Sequence, residues 1–184
     1  MYIKRTVHFA LIIAFLILFV TSMRIMRFYA NTVENIHFGN EKILDLRFGY
    51  TLTDVNKYLA FLNAEGKNVY LNRFYLIDSI YPVIYAAFYI FSLSLLINIC
   101  FPKTRKTYGI LLLPVIGAIF DYSENFFIKS FLKDINKVNE FNVNISSIFT
   151  RIKFISIYTT FALILVFILI FVIKIFRNDV EWQK

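Results

Sequence analysis

The sequence predicts an all-α membrane protein: a bundle of four transmembrane helices, with one further amphipathic helix outside the membrane. Hydrophobic residues make up 59% of the 184-residue chain, which is more than an ordinary soluble domain carries. They are concentrated in four runs, each near the ~20 residues with which a helix crosses ~30 Å of hydrocarbon. Lysine and arginine stand beside these runs, as membrane-flanking charges do. We therefore predict a single integral membrane domain.

The first apolar run follows a short basic start, a pattern that signal peptides and signal anchors share. Its small-residue cleavage site is poor, and Arg24 and Arg27 follow the run at once. We therefore expect a retained anchor helix rather than a cleaved signal. The predicted spans are residues 7–23, 76–100, 108–132 and 154–176, and the outer loops are residues 24–75 and 133–153.

The first outer loop is polar but contains two patterned stretches. Residues 44–48 alternate apolar and polar side chains, as a short strand does. Thr51 or Thr53 is suited to cap a helix, and Gly66 is suited to end it. The apolar positions of this helix recur at three and four residues: Val55, Tyr58, Leu59 and Leu62. The pattern predicts an amphipathic helix at the membrane surface or packed over the bundle.

The second span carries polar side chains on one helical stripe. Asp78, Tyr81, Tyr85 and Tyr89 follow each other at steps of three, four and four residues. Pro82 lies within this series and predicts a kink or a helix start. Tyrosines near an interface usually act as anchors, but a buried tyrosine hydroxyl normally needs a polar partner.

The third span contains two carboxyl groups well inside an apolar stretch. Asp121, Glu124 and Asn125 are three and four residues apart, so they share one helix face. Gly117 and Pro114 precede them on the same stripe and allow a neighbouring helix to approach closely. An ionised carboxylate near the middle of such a helix costs at least ~2.5–3.5 kcal/mol. We therefore expect this face to contact protein or water.

The fourth span is apolar except near its start, where Thr159 and Thr160 interrupt it. Ser146 or Ser147 is predicted to cap its helix. At ~1.5 Å rise per residue, the two threonines lie at the depth of Tyr85 and Asp121. All are then in the outer half of the membrane, while the inner halves of the spans are almost purely apolar. This asymmetry argues against an open channel.

The basic residues predict that both termini face the cytoplasm. Four spans place the termini on one side, and the positive-inside rule assigns the most basic flanks and the shortest loop to the cytoplasm. These residues are Lys4, Arg5, Lys103, Arg105, Lys106, Lys174 and Arg177.

A polar pocket in the outer half of the bundle is the site that the spacing suggests. Its candidate ligand-binding or proton-carrying residues are Asp78, Tyr81, Tyr85, Asp121, Glu124, Asn125, Thr159 and Thr160. The charged partners predicted at its rim are Arg24, Arg27, Arg73, Arg151 and Lys153. Acidic residues inside a membrane usually serve function. The alternative is that these acids pair with the rim cations and only hold the bundle together.

Composition and motifs exclude several other classes. The single cysteine, Cys100, excludes an internal disulfide framework, and no metal-ligand spacing is present. Nucleotide-binding and nucleophile-elbow motifs are absent, so no cofactor is predicted. We attribute the net charge of +8 to contact with lipid headgroups and expect no nucleic-acid partner. A homodimer stays open.

The motifs D-x-x-x-P-x-x-Y from Asp78 and D-x-x-E-N from Asp121 resemble those of a group of small four-span bacterial membrane proteins that remains uncharacterised. The resemblance covers roughly residues 50–174 and implies a fold but no activity. A looser likeness is to the four-helix sterol-binding proteins and isomerases of the emopamil-binding-protein type, which also place acids in an intramembrane pocket. The catalytic histidine of those isomerases has no counterpart in this sequence.

Three functions are consistent with these patterns. The first is binding of a small amphipathic or cationic ligand, or of a lipid, in the acidic pocket. The second is a lipid-modifying membrane enzyme with Asp121 or Glu124 as general acid or base. The third is a structural or partner-binding membrane subunit.

Overall fold

The computed structural model describes residues 5–36, 41–102 and 105–177, and every regular element in these ranges is helical. The helices are α1 (Arg5–Ile36), α2 (Leu52–Phe61), α3 (Ala64–Val69), α4 (Tyr75–Asp78), α5 (Tyr81–Cys100), α6 (Leu112–Lys133) and α7 (Glu140–Phe176). A π-helical turn (Tyr70–Phe74) joins α3 to α4, and 3₁₀ turns cover Leu44–Leu46, Arg105–Leu111 and Ile135–Lys137. The basic residues Lys4 and Lys103 lie outside the described ranges.

Four helical stretches are long and apolar enough to cross a membrane, which confirms the predicted number of spans. They are Thr6–Ile36, Ala64–Cys100, Gly109–Lys133 and Glu140–Phe176. The first, second and last are longer than predicted, because helix continues into segments that sequence hydropathy assigns to loops. In α1 the added part buries Ala30 and Val33, and in α7 it buries Val143 and Thr150. Tertiary packing of one face therefore sustains helix where the average composition is polar.

The start of α7 and the stretch at residues 44–48 correct two expectations. Asn139 caps α7, because its side chain accepts a hydrogen bond from the Asn142 backbone N–H at 3.0 Å. Ser146 and Ser147 lie inside the helix and are buried. The predicted strand is wrong, since Leu44–Leu46 forms a 3₁₀ turn and buries Asp45.

The amphipathic helix α2 begins where the sequence predicts. The Thr51 side chain accepts a hydrogen bond from the Asp54 backbone N–H, and the Asp54 carboxylate accepts one from the Thr51 N–H, which forms a capping box. The helix ends at Phe61, earlier than predicted. Gly66 belongs to α3, where its N–H donates to the side chain of the capping residue Asn63.

The second span is broken just before Pro82, as predicted. Helix α4 ends at Asp78 and α5 begins at Tyr81, which places Pro82 in the first turn of α5. Proline is tolerated there because the backbone N–H that it lacks has no partner within the helix. Across the break, the Tyr122 hydroxyl donates to the Ser79 carbonyl at 2.8 Å, so α6 supplies a donor to the interrupted backbone.

Helices α6 and α7 pack closely against each other. A Cβ atom on Gly117 of α6 would lie 3.5 Å from Ser156 Cβ and 3.5 Å from Ile157 Cγ1 of α7. The predicted role of Gly117 in close helix approach is therefore confirmed.

Two hydrophobic cores lie at different levels of the bundle. The loop-side core combines α1 and the outer segments with parts of α6 and α7; it includes Leu44, Tyr58, Phe74, Ile128 and Val143. The α5–α7 core includes Tyr89, Leu93, Ile97, Ile164 and Phe167. Between these cores, each of the helices α4, α6 and α7 contributes buried charged residues.

Candidate functional site

Four carboxyl groups and one ammonium group are buried between the two cores. We call this set the acidic cluster: Asp45, Asp78, Asp121, Glu124 and Lys153. The exposed fractions run from 0% for Glu124 to 5% for Asp45 and Lys153. The residues come from the 3₁₀ turn at residues 44–46, α4, α6 and α7. Charges this deeply buried are costly unless they are paired or hydrogen-bonded.

Lys153 lies at the centre of the acidic cluster. Its ammonium group forms an ion pair with Glu124 Oε2 and lies 3.5 Å from Asp121 Oδ1. It also donates a hydrogen bond to the main-chain carbonyl of Asp45 at 3.3 Å. One cation thus connects α6, α7 and the 3₁₀ turn.

Hydroxyl groups complete the surroundings of Glu124. Thr150, one turn before Lys153 on α7, donates to Glu124 Oε1 at 2.6 Å. The Tyr50 hydroxyl lies 2.5 Å from Ser146 Oγ, and the Tyr50 N–H donates to Ser147 Oγ at 3.0 Å. Burial and the neighbouring Glu124 carboxylate raise the pKa of Tyr50, so its hydroxyl stays neutral.

Asp121 is bound from two sides. Opposite Lys153, the Tyr85 hydroxyl donates to Asp121 Oδ2 at 3.2 Å. The ring of Tyr85 in turn contacts those of Tyr81 and Tyr89, with centroid distances of 5.3 Å and 6.2 Å. The tyrosines of α5 therefore form one stripe, and its middle hydroxyl reaches an acid.

Asp78 has a neutral partner. The side-chain amide nitrogen of Asn125 donates to Asp78 Oδ2, and both residues are 3% exposed. Among the described residues, no cation lies within ion-pair distance of the Asp78 carboxylate. The amide oxygen of Asn125 is buried and accepts no hydrogen bond in this part of the chain.

Asp45 reaches the cluster from the first outer segment. The hydroxyl of Tyr70 donates to Asp45 Oδ2, and that of Tyr75 lies 3.2 Å from both carboxylate oxygens. These tyrosines are five residues apart and their rings stack at 5.3 Å. The π-helical turn between them brings residues five apart into line. Burial raises the pKa of Asp45, and the Lys153 ammonium opposes that shift.

The structure brings together most of the candidates that the sequence suggests. Asp78, Tyr85, Asp121, Glu124 and Asn125 lie within one connected set of contacts. Tyr81 joins it through its ring contact with Tyr85. Thr160 is buried and donates to Ser156 O of its own helix at 2.7 Å, whereas Thr159 is exposed.

The predicted rim cations divide into two kinds. Lys153 is central and buried, whereas Arg24, Arg27, Arg73 and Arg151 are exposed. In the described ranges, ion pairs with the acidic cluster come from Lys153. The Arg151 guanidinium instead covers Gly49: a Cβ atom at that position would lie 2.9 Å from Arg151 Nε.

The sequence patterns did not point to several residues of the cluster. They are Asp45, Tyr50, Tyr70, Tyr75, Ser146 and Thr150. The signal that was available for Asp45 is its position between Leu44 and Leu46, in the short apolar stretch of a polar loop.

The acidic cluster holds more acid than base. Four carboxyl groups share one ammonium group, so the full set of ionised side chains would be strongly negative in a region of low dielectric constant. The hydroxyl and amide donors reduce this cost but add no positive charge. The arrangement therefore favours additional protons or an additional cation. No group of histidine, cysteine, aspartate or glutamate side chains in the described ranges is arranged to hold a metal ion.

A small apolar cavity lies next to the cluster. Its volume is about 120 Å³, and Met23, Met26, Arg27, Leu46, Phe74 and Tyr81 line it. Leu46 follows Asp45 in the chain, and Tyr81 packs on Tyr85. The cavity and the acidic cluster thus share a wall.

Comparisons with known proteins add no relative: no family model, no curated protein and no solved structure matches this chain.

Proposed function

We propose that this multi-pass membrane protein binds a small cationic or amphipathic molecule at the acidic cluster. The observation that carries the proposal is the excess of buried carboxyl groups over cations, four against one. A bound cation would supply the missing positive charge, and in a water-poor site its attraction to the carboxylates is strong.

The adjoining cavity supports an apolar part in the ligand. An engineered cavity of ~150 Å³ in another protein accepts benzene, and the cavity beside Tyr81 measures about 120 Å³. A ring or short alkyl chain of that size would fit between Met23, Phe74 and Leu46, with its charged end toward the carboxylates.

We further propose that both termini face the cytoplasm and that the acidic cluster lies in the outer half of the membrane. The positive-inside rule supports this orientation. The loop-side core, which α2 and the 3₁₀ turn at residues 44–46 help to build, would then form an extracytoplasmic cover over the site.

A structural role is the second candidate, and one observation favours it. Lys153 pairs with both Asp121 and Glu124, so these acids join α6 to α7 whether or not a ligand binds. In that case the remaining acids would be held by the tyrosine hydroxyls and by the Asn125 amide.

The test compares two probes of equal size in detergent-purified wild-type protein. Benzylamine is a cation at neutral pH, and benzyl alcohol is its neutral counterpart. Ligands that bind the native state raise the melting temperature by mass action. We expect benzylamine to raise it and to give a saturable titration, and benzyl alcohol to do neither. Absence of both effects for benzylamine would contradict the proposal.

Two acid variants separate ligand binding from the structural role. If the site binds cations, Asp121→Asn and Glu124→Gln melt near the wild-type temperature but lose the response to benzylamine. If the acids are only structural, both variants melt well below the wild type. Glu41→Gln is the matched control, because Glu41 pairs with Arg47 and Lys57 at the surface, at 2.9 Å and 2.7 Å.

A further inference from the structure

We infer that Asp78 and Asn125 form the subsite for the charged end of the ligand, and that this end is an ammonium group with N–H donors. The inference rests on the proposed function, since it names the chemical class of the cation and the two residues that receive it. It excludes quaternary ammonium ions, which carry the charge but no N–H group.

The first argument is the unequal distribution of positive charge within the acidic cluster. Lys153 neutralises the part formed by Glu124 and Asp121 and contacts the Asp45 carbonyl. Asp45 also receives two tyrosine hydroxyls. Asp78 has no cation within ion-pair distance in the described ranges, and its hydrogen-bond partner there is the neutral amide of Asn125. It is therefore the carboxylate at which an added cation would gain most.

The second argument is independent of the acids and concerns the amide oxygen of Asn125. The Asn125 side chain is 97% buried, being 3% exposed, and a buried polar atom without a partner costs free energy. Because a carboxylate only accepts hydrogen bonds, Asp78 fixes the amide with its nitrogen toward the acid. The oxygen of the same amide is then a second acceptor beside Asp78, and no described group donates to it.

These two acceptors together specify the chemistry of the ligand. A group that satisfies both must donate at least two hydrogen bonds and carry a positive charge. A primary ammonium group has three N–H donors on one charged nitrogen, as the lysine side chain does. A water molecule could donate to both acceptors but would leave the charge of Asp78 uncompensated.

The position of the subsite agrees with the ligand geometry. Asp78 ends α4, and Tyr81, three residues later, lines the apolar cavity. Asn125 lies next to Glu124 on α6. A benzyl or short alkyl group in the cavity would therefore start close to the subsite at Asp78.

The test measures binding of benzylamine and of benzyltrimethylammonium by titration calorimetry, with purified wild type, Asp78→Asn, Asn125→Leu and Glu41→Gln. Charge-assisted hydrogen bonds of this kind correspond to about 10-fold or more in affinity. We expect the wild type and Glu41→Gln to bind benzylamine at least about 10-fold more tightly than the quaternary ion. Asp78→Asn should weaken benzylamine binding by about the same factor, and Asn125→Leu should abolish the preference for the primary amine.

The outcomes distinguish this inference from the proposed function. If both cations bind the wild type equally, or if benzylamine binding survives both substitutions while Asp121→Asn weakens it, the subsite is wrong and the cation site remains. If neither cation binds the wild type, the proposed function fails and the subsite fails with it. Melting curves of each variant show whether it is folded. Asp78→Asn preserves side-chain shape and the acceptor for the Asn125 amide, so it serves if Asn125→Leu does not fold.

Discussion

At the scale of single residues, the acidic cluster depends on Lys153. Its ammonium group is the one cation that we find paired with these acids in the described chain, and it contacts two carboxylates and a main-chain carbonyl. Its removal would leave Asp121 and Glu124 as neighbouring, uncompensated buried acids. Loss of one partner from a buried ion pair is far more costly than the net contribution of the pair suggests.

Lys153→Met should therefore destabilise the protein by about 3–5 kcal/mol, seen as a large fall in melting temperature in detergent. Lys133→Met is the matched control, since Lys133 is exposed on α6 and its loss should change the melting temperature little. A Lys153→Met variant as stable as this control would contradict the central position of Lys153.

Asp45 makes a prediction about pH. Burial raises its pKa above the ordinary value of 3.8, against the opposing effect of Lys153 and of the Tyr70 hydroxyl, and the negative charge of Asp121 adds to the rise. The folded state therefore holds this proton more tightly than the unfolded state. Its contribution to stability is complete below about pH 3.8 and is lost as the pH rises through the folded-state pKa.

Asp45→Asn removes that loss. We expect the melting temperature of the variant, relative to wild type, to increase as the pH rises from about 4 to 8. Melting curves in a series of buffers measure it. A difference that stays constant or shrinks with rising pH would contradict the raised pKa of Asp45.

At the scale of helices, the closeness of α6 and α7 sets the geometry of the cluster. Both helices carry cluster residues, and Gly117 lies one turn before Asp121, against Ser156 and Ile157. A single added methyl group would make ordinary contacts of 3.5 Å there, but a larger side chain would push the helices apart.

Gly117→Ala should accordingly be tolerated, whereas Gly117→Leu should destabilise the protein by about 1–3 kcal/mol through overpacking. The pair of variants is its own control, because both add apolar atoms at one position and differ in size. Thermal melting in detergent compares them, and equal stability would show that α6 and α7 are not closely packed at Gly117.

Elements with local causes were predictable from the sequence. The Thr51 cap, the helix start at Pro82 and the close contact at Gly117 follow from residue type and position. Helical spacing also placed Asp121 and Glu124 on one face, and both are buried on it.

Long-range contacts were not predictable. The donors to the Asp45 carboxylate lie 25 and 30 residues along the chain, at Tyr70 and Tyr75. Lys153 was assigned to the rim because hydropathy ended the fourth span there, but α7 continues through it to Glu140. Hydropathy measures average composition and does not detect a polar helix that buries one face.

At the scale of the whole molecule, the four spans imply that both termini lie on one side of the membrane. Single-cysteine variants test which side it is. Lys137→Cys lies between α6 and α7, and Arg177→Cys lies at the end of α7. Cys100 is buried and would be replaced by alanine as background.

In intact expressing cells, a membrane-impermeant maleimide should label position 137 and not position 177, and disruption of the cells should make both reactive. The reverse pattern would contradict a cytoplasmic location of the termini. The unmodified Cys100→Ala protein serves as the blank.

The central claim is that the molecule keeps more buried acid than its stability requires, because one carboxylate is reserved for a ligand. The melting temperature of Asp78→Asn in the absence of any ligand tests this most directly. Loss of a buried carboxylate that has no cation partner should leave the melting temperature unchanged or raise it, as substitutions at functional sites often do. A fall comparable to that of Lys153→Met would contradict the account and identify Asp78 as a structural residue of the bundle.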